Sequence, residues 1–268
     1  MLSYLSLSVT PLRTFYEEGL LGSATGFFYA AGQEVWLITN WHVLSGRDPR
    51  TGQARSSMGA VPNHLQFFSS YAIDETSGHY DWNSETVPLD EGAGQAIWFQ
   101  HPTKGQAIDV AAINLGARAD LMALAINRQK DHQPQISSNI GEELYILGYP
   151  LGIEPLGHFP IWKRASLATY PTANAFGKPA FLMDTATREG MSGAPVIFPE
   201  KQLYQMNHGG IRIGDSRYKL AGVYSGRFEG RDELGASLAI GWHAQVIDEI
   251  VSGRAAGTFM IRTTDEPF

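Results

Sequence analysis

Three short segments of this chain hold a base, an acid and a hydroxyl: Thr39-Asn40-Trp41-His42-Val43, Ile108-Asp109-Val110-Ala111-Ala112-Ile113 and Glu189-Gly190-Met191-Ser192-Gly193-Ala194-Pro195-Val196. A serine hydroxyl is a poor nucleophile at neutral pH and needs a neutral imidazole within hydrogen-bonding reach to take its proton. The imidazole in turn needs a buried carboxylate that holds its tautomer and stabilises the imidazolium formed during attack. His42, Asp109 and Ser192 offer these roles in that order along the chain. Glycines on both sides of Met191-Ser192 suit a tight turn whose backbone N–H groups converge beside the hydroxyl, and those of Gly190 and Ser192 are the expected oxyanion donors.

Taken singly, each segment has a plainer reading. A histidine after a strand is usually a surface or packing residue, an aspartate opening an apolar run is usually a turn or cap, and Gly-x-Ser-Gly is usually only a turn. The joint occurrence, in one order and with strand-like contexts, favours the reactive arrangement.

The elements that must position these groups are also legible. Val35-Trp36-Leu37-Ile38 reads as a strand that ends just before His42, and Asp109 opens a second apolar run. The 29 glycines and 14 prolines, scattered among short apolar runs, predict many brief strands and tight turns, hence an all-β chain. Strands are expected over Leu2–Val9, Gly22–Ala31, Glu34–Thr39, His64–Ser70, Ala96–Phe99, Val110–Asn114, Leu144–Tyr149, Ile161–Thr169, Ala180–Asp184, Ala194–Phe198, Lys219–Ser225 and Gly235–Gly241. Near the end, Trp242, Val246, Ile247, Ile250 and Val251 recur at helical spacing before Gly253, which predicts a C-terminal helix. The polar stretch beginning Asn127-Arg128-Gln129-Lys130 divides two apolar regions, so residues 1–126 and 141–268 are expected as two units joined by a linker over 127–140.

The histidine and serine segments resemble those of the chymotrypsin-like serine peptidases, above all bacterial members with a Thr-Asn-x-His-Val box and a Gly-x-Ser-Gly box. Gly22-Ser23-Ala24-Thr25-Gly26-Phe27-Phe28 is similar to the glycine-rich strand that precedes the histidine strand in that family. Leu220-Ala221-Gly222-Val223-Tyr224-Ser225-Gly226 resembles the strand that follows the serine box and lines the substrate channel. The resemblance implies two packed six-stranded antiparallel β-barrels with a C-terminal helix, the first carrying His42 and Asp109 and the second Ser192. It implies a serine endopeptidase acting on a polypeptide substrate; the competing class is a catalytically silent double-barrel peptide-binding or sensing module. An α/β-hydrolase is disfavoured, because that elbow is Gly-x-Ser-x-Gly with its partners in the order Ser, acid, His.

The same resemblance places Ala186 at the base of the primary substrate pocket, Thr187 beside it and Ser225, Gly226 and Arg227 on the opposing wall. No carboxylate stands at that base, so a buried Lys or Arg of the substrate would lie unpaired, and a small or medium uncharged residue is expected. Arg227 offers an attraction for an acidic side chain, although glutamate-specific relatives place a histidine where this chain has Tyr224. The digestive branch has an aspartate just before its serine that pairs with a newly cut N-terminus; here that residue is Met191, so the turn is expected to form without a propeptide, or to be ordered by substrate or a partner.

Composition narrows the remaining classes. A net charge of −7 disfavours nucleic acid, whose phosphates demand a basic footprint. The absence of cysteine excludes disulfides and suits a reducing compartment, so a cytoplasmic location is expected. The first ten residues lack a basic leader and no apolar run approaches a membrane span, so no membrane is expected. No phosphate loop, dinucleotide fingerprint or His-Glu-x-x-His occurs, so no cofactor and no metal are expected. Asp74 to Asp81 gathers carboxylates, yet a calcium site needs six or more convergent oxygens, and a solvated loop is the expectation. The other seven histidines lack a partner motif and are read as surface or packing residues. The chain's end soon after the helix is read as leaving no room for an appended peptide-binding domain, so any regulation of that kind is expected to need a partner protein.

Overall fold

The computed structural model describes residues 4–74, 79–92, 94–129, 132, 139–200, 203–205, 211–213, 217–227 and 237–259. The first half comprises β1 (Val9–Tyr16), β2 (Gly19–Ala31), β3 (Glu34–Thr39), α1 (Trp41–Ser45), β4 (His64–Asp74), β5 (His79–Pro88), β6 (Phe99–Gln100), β7 (Ala111–Gly116) and α2 (Ala119–Leu124). The second comprises β8 (Glu143–Gly148), β9 (Ile161–Leu167), β10 (Ala180–Asp184), β11 (Pro195–Glu200), β12 (Leu203–Gln205), β13 (Ile211–Ile213), β14 (Arg217–Arg227), β15 (Leu238–His243), α3 (Gln245–Gly253) and β16 (Ala255–Ala256).

The second half closes into a six-stranded barrel in the order β10-β15-β14-β11-β8-β9. The first half forms an eight-stranded sheet, β16-β6-β7-β3-β2-β1-β4-β5, where six strands were expected. One added strand comes from the far end of the chain: after α3, β16 returns to pair with β6. The strand pairs are antiparallel, and the fold is all-β and chymotrypsin-like.

β3 shows why its sequence is apolar at every position. Val35 and Leu37 face a core with Phe28, Leu65 and Trp98, while Trp36 and Ile38 face a second core with Val223, Trp242 and Ile250. A strand covered on both faces loses the apolar/polar alternation of a half-exposed one. The second core contains residues from both halves and from α3, so it fixes the serine-bearing barrel against the strand that leads to His42. A third core, with Leu144, Phe181, Met191 and Val196, fills the closed barrel.

Several elements differ from the sequence expectation. Residues Tyr4–Ser8 form a 3-10 turn instead of a strand, with Ser6 and Ser8 buried beside Leu5 and Leu7, so their alternation does not mark an exposed face. Strand β5 was not anticipated, because its sequence His79-Tyr80-Asp81-Trp82-Asn83-Ser84-Glu85 is mostly polar; it gains its ladder from β4. Trp242 lies in β15, not in the helix, while Val246, Ile247, Ile250 and Val251 form the buried face of α3. The helix ends with Arg254 in the left-handed region, its guanidinium 5.1 Å over the Trp36 ring. Asp74 and Asp81 sit on neighbouring strands, and residues 75–78 of that candidate calcium loop lie outside the described residues, as does most of the 127–140 linker. Among the described residues there is no cluster of potential metal ligands and no helix long and apolar enough to cross a membrane.

Candidate active site

β3 delivers the chain into α1, a single helical turn, and pairs with β7 through Thr39 and Ala111. That register sets residue 42, three positions beyond Thr39, beside residue 109, two before Ala111. The Asn40 amide then donates to the Asp109 carbonyl at 2.7 Å, tying the two chain segments together.

The Asp109 carboxylate, 4% exposed, is grasped twice by one residue. Oδ1 accepts the backbone N–H of His42 at 2.9 Å, and Oδ2 lies 2.7 Å from His42 Nδ1. A carboxylate at Nδ1 places the ring hydrogen there and leaves Nε2 with its lone pair, the state a proton acceptor needs. The Ser225 hydroxyl also donates to Oδ2, from strand β14 of the second half. A buried carboxylate with three donors needs no counter-charge beyond these hydrogen bonds.

Ser192 and Gly190 share with His42 a cleft of about 370 Å³ that Gly22, Ser23 and Val43 also line. The serine turn is held by both halves. The Thr25 N–H donates to the Ser192 carbonyl at 2.8 Å, and the Thr25 hydroxyl to the Gly190 carbonyl at 2.7 Å. Gly190 and Gly193 take φ of +87° and +86°. A Cβ on Gly190 would lie 2.2 Å from the Tyr149 carbonyl, and one on Gly193 2.2 Å from that of Thr25, so only glycine fits at either position.

The Glu189 carbonyl accepts the Leu151 N–H at 2.7 Å. Across a trans peptide the N–H points opposite the carbonyl, so Gly190 aims its N–H away from Leu151. Among the described residues, neither Gly190 nor Ser192 donates its N–H to a protein acceptor. Two unpaired N–H groups beside a hydroxyl suit charge developing on a carbonyl oxygen. No hydrogen bond closes between Ser192 Oγ and His42; such bonds commonly tighten only when a substrate fills the site.

Met191 stands where an ion pair orders the serine turn of the digestive branch, and here it is fully buried among Leu144, Ile146, Ala194 and Val196. Apolar packing thus anchors the turn from within the barrel. None of the five residues expected around the primary pocket lines the cleft that holds His42 and Ser192. Ala186 is exposed, and Thr187 is buried with its hydroxyl 2.6 Å from that of Tyr224. Ser225 reaches Asp109, and Gly226 and Arg227 pair with Ile240 and Ala239 at the end of β14. Burial pushes the Tyr224 phenol up, so it stays protonated beside Thr187.

Sequence reading missed three participants: Thr25, Asn40 and Ser225. Thr25 was noted only as part of a strand segment and Asn40 only within the histidine box, while Ser225 was read as a wall of the primary pocket and not as a partner of Asp109. No local signal marks a hydroxyl or amide whose partner lies far along the chain, although the Asn in the box was in view. Of the remaining histidines, His101 bonds Glu249 at 2.7 Å, His64 bonds Asn63 at 2.8 Å and stacks on Phe15, and His158 pairs with Glu154.

The trypsin-like peptidase domain family matches residues 24–204, a span that includes His42, Asp109 and Ser192. Among solved structures, a serine endoprotease from Yersinia pestis is 11% identical with a TM-score of 0.50, covering 94% of this chain and 66% of its own, a likeness of fold alone. An inactive mutant form of Rv3671c from M. tuberculosis is 14% identical with a TM-score of 0.47, covering 92% and 86% of the two chains. The scabies mite inactivated protease paralogue S-I1 is 14% identical with a TM-score of 0.48, covering 91% and 92%. Among curated proteins none matches this chain.

Proposed function

Because the chain belongs to the trypsin-like peptidase family, we propose that it is a serine endopeptidase that hydrolyses peptide bonds through an acyl-enzyme. The observation that carries this reading is the double grip of Asp109 on His42, through the backbone N–H at 2.9 Å and Nδ1 at 2.7 Å, which orients Nε2 as a base.

In this reading Ser192 Oγ attacks the substrate carbonyl and His42 Nε2 takes the hydroxyl proton. Asp109 stabilises the resulting imidazolium, and the Gly190 and Ser192 N–H groups bind the oxyanion. His42 then gives the proton to the leaving amine, and water repeats the sequence in reverse to release the acid. The absence of a carboxylate at Ala186, where the family resemblance puts the base of the primary pocket, supports an uncharged residue before the scissile bond.

A fluorophosphonate probe tests the reading, since it modifies only an activated serine. Wild type should label at Ser192, and His42→Ala and Ser192→Ala should not. Ser192→Ala should also lower peptide turnover by about 10⁶. A folded wild type that stays unlabelled would reject the hydrolase and favour the silent peptide-binding module.

A further inference from the structure

We propose that Glu154 is a positioning residue for the serine turn, acting from outside the cleft: by joining Arg13 and His158 it holds the 149–159 segment where Leu151 meets Glu189. The catalytic consequence rests on the hydrolase reading above, while the structural linkage can be tested without turnover.

The linkage can be followed residue by residue. One Glu154 oxygen accepts from the Arg13 guanidinium of β1 at 2.9 Å, and the other pairs with His158 Nδ1. Arg13 lies 4.9 Å over the Phe68 ring and reaches Gln66 at 3.4 Å. The His158 imidazole stacks on the same Phe68 ring, with centroids 3.9 Å apart, and meets Trp82 edge to face at 5.3 Å. Glu154 and His158 are thereby fixed to β1, β4 and β5 of the first half. The segment's near end is fixed by Tyr149, whose hydroxyl lies 2.7 Å from the His158 carbonyl and 3.1 Å from that of Val9.

Between these anchors the chain passes through a conformation it would not choose. Leu151 has φ of +56° and ψ of +22°, the left-handed region that disfavours a branched non-glycine residue. Its side chain is 63% exposed, so packing does not hold it there. What its backbone does there is donate to the Glu189 carbonyl at 2.7 Å, the bond that turns the Gly190 N–H toward the cleft. A strained residue whose N–H fixes an oxyanion donor needs external restraint, and Glu154, three positions along, provides it.

Backbone amide exchange and labelling kinetics test this on the full chain. In Glu154→Ala the Leu151 amide should exchange at least tenfold faster, while the Tyr224 amide, bonded to Ala194 inside the barrel at 2.8 Å, keeps its rate. With the fluorophosphonate, the maximal labelling rate should fall about tenfold and half-saturation should stay within twofold. Glu154→Gln retains an acceptor for Arg13 and should recover part of both losses. Arg13→Gln, which leaves the segment's own sequence intact, should reproduce the exchange effect if Glu154→Ala fails to fold. An unchanged Leu151 amide, or equal acceleration at Tyr224, would overturn the proposal. A wild type that never labels would reject the hydrolase reading and leave the exchange result to decide this one.

Discussion

Thr25 of the first half donates its N–H to the Ser192 carbonyl of the second at 2.8 Å, so the chain that carries the nucleophile is anchored to the half that carries its base. The Thr25 side chain adds two further bonds. Its hydroxyl donates to the Gly190 carbonyl and accepts the Tyr149 N–H at 3.2 Å, all in a fully buried position.

Thr25→Val keeps the backbone bond and the shape but leaves the Gly190 carbonyl and the Tyr149 N–H without partners. Unsatisfied buried groups cost about 1–3 kcal/mol each, so the two together should lower stability by about 2–6 kcal/mol. Urea unfolding measures this, and a loss below about 0.5 kcal/mol would show that water replaces the hydroxyl at no penalty.

Gly190→Ala puts a methyl 2.2 Å from the Tyr149 carbonyl at a φ of +87°. The turn must shift, and the Gly190 N–H leaves its aim. Loss of one oxyanion donor lowers turnover by about 10²–10³. Peptide hydrolysis by a variant with native circular dichroism should fall by that amount while substrate half-saturation changes little; wild-type turnover would show that this N–H does not act.

The strands that approach the site are legible in sequence because burial on both faces leaves continuous apolar runs: Val35–Ile38 before His42, Val110–Ile113 after Asp109. Adjacent pairing of β3 and β7 then brings residues 42 and 109 side by side, so two distant runs converge through ordinary sheet register. The all-β class follows from the same short runs and turns, and the chymotrypsin-like architecture from the resemblance of the histidine and serine boxes. What sequence does not reveal is supplied by single hydrogen bonds across the structure. Ser225 was read as a wall of the substrate pocket, and only the fold turns its hydroxyl to Asp109. The Leu151–Glu189 bond joins two irregular segments with no periodicity to read, and β5 is polar enough to pass for loop.

Met191 offers a stability prediction that follows from replacing an ion pair by packing. Its side chain is fully buried, with sulfur 3.1 Å from the point a Cβ on Gly148 would occupy. Met191→Leu conserves volume and should cost under about 1.5 kcal/mol. Met191→Asp buries a carboxylate among Leu144, Ile146 and Val196 and should unfold the chain at neutral pH. Thermal melting of the two variants separates the cases; a folded, stable Met191→Asp would mean that a cation on this chain reaches the turn.

Alkaline pH should weaken the fold through its buried tyrosines. Burial pushes up Tyr149 and Tyr224, and burial together with the Asp248 carboxylate, 2.7 Å from the phenol, pushes up Tyr29. The unfolded chain releases these protons near the ordinary value of 10, whereas the folded chain retains them to higher pH. The folded state therefore binds more protons above pH 10, and stability, unaffected below that point, declines as pH rises through it. Each such tyrosine contributes a slope of up to about 1.4 kcal/mol per pH unit. Tyr29→Phe removes one of them: it loses the Asp248 hydrogen bond, about 1 kcal/mol at pH 8, but its stability should fall less steeply from pH 10 to 11. Urea midpoints of wild type and Tyr29→Phe at pH 8, 10 and 11 measure both quantities, and parallel declines would show that the Tyr29 phenol ionises as readily in the folded chain as in the unfolded one.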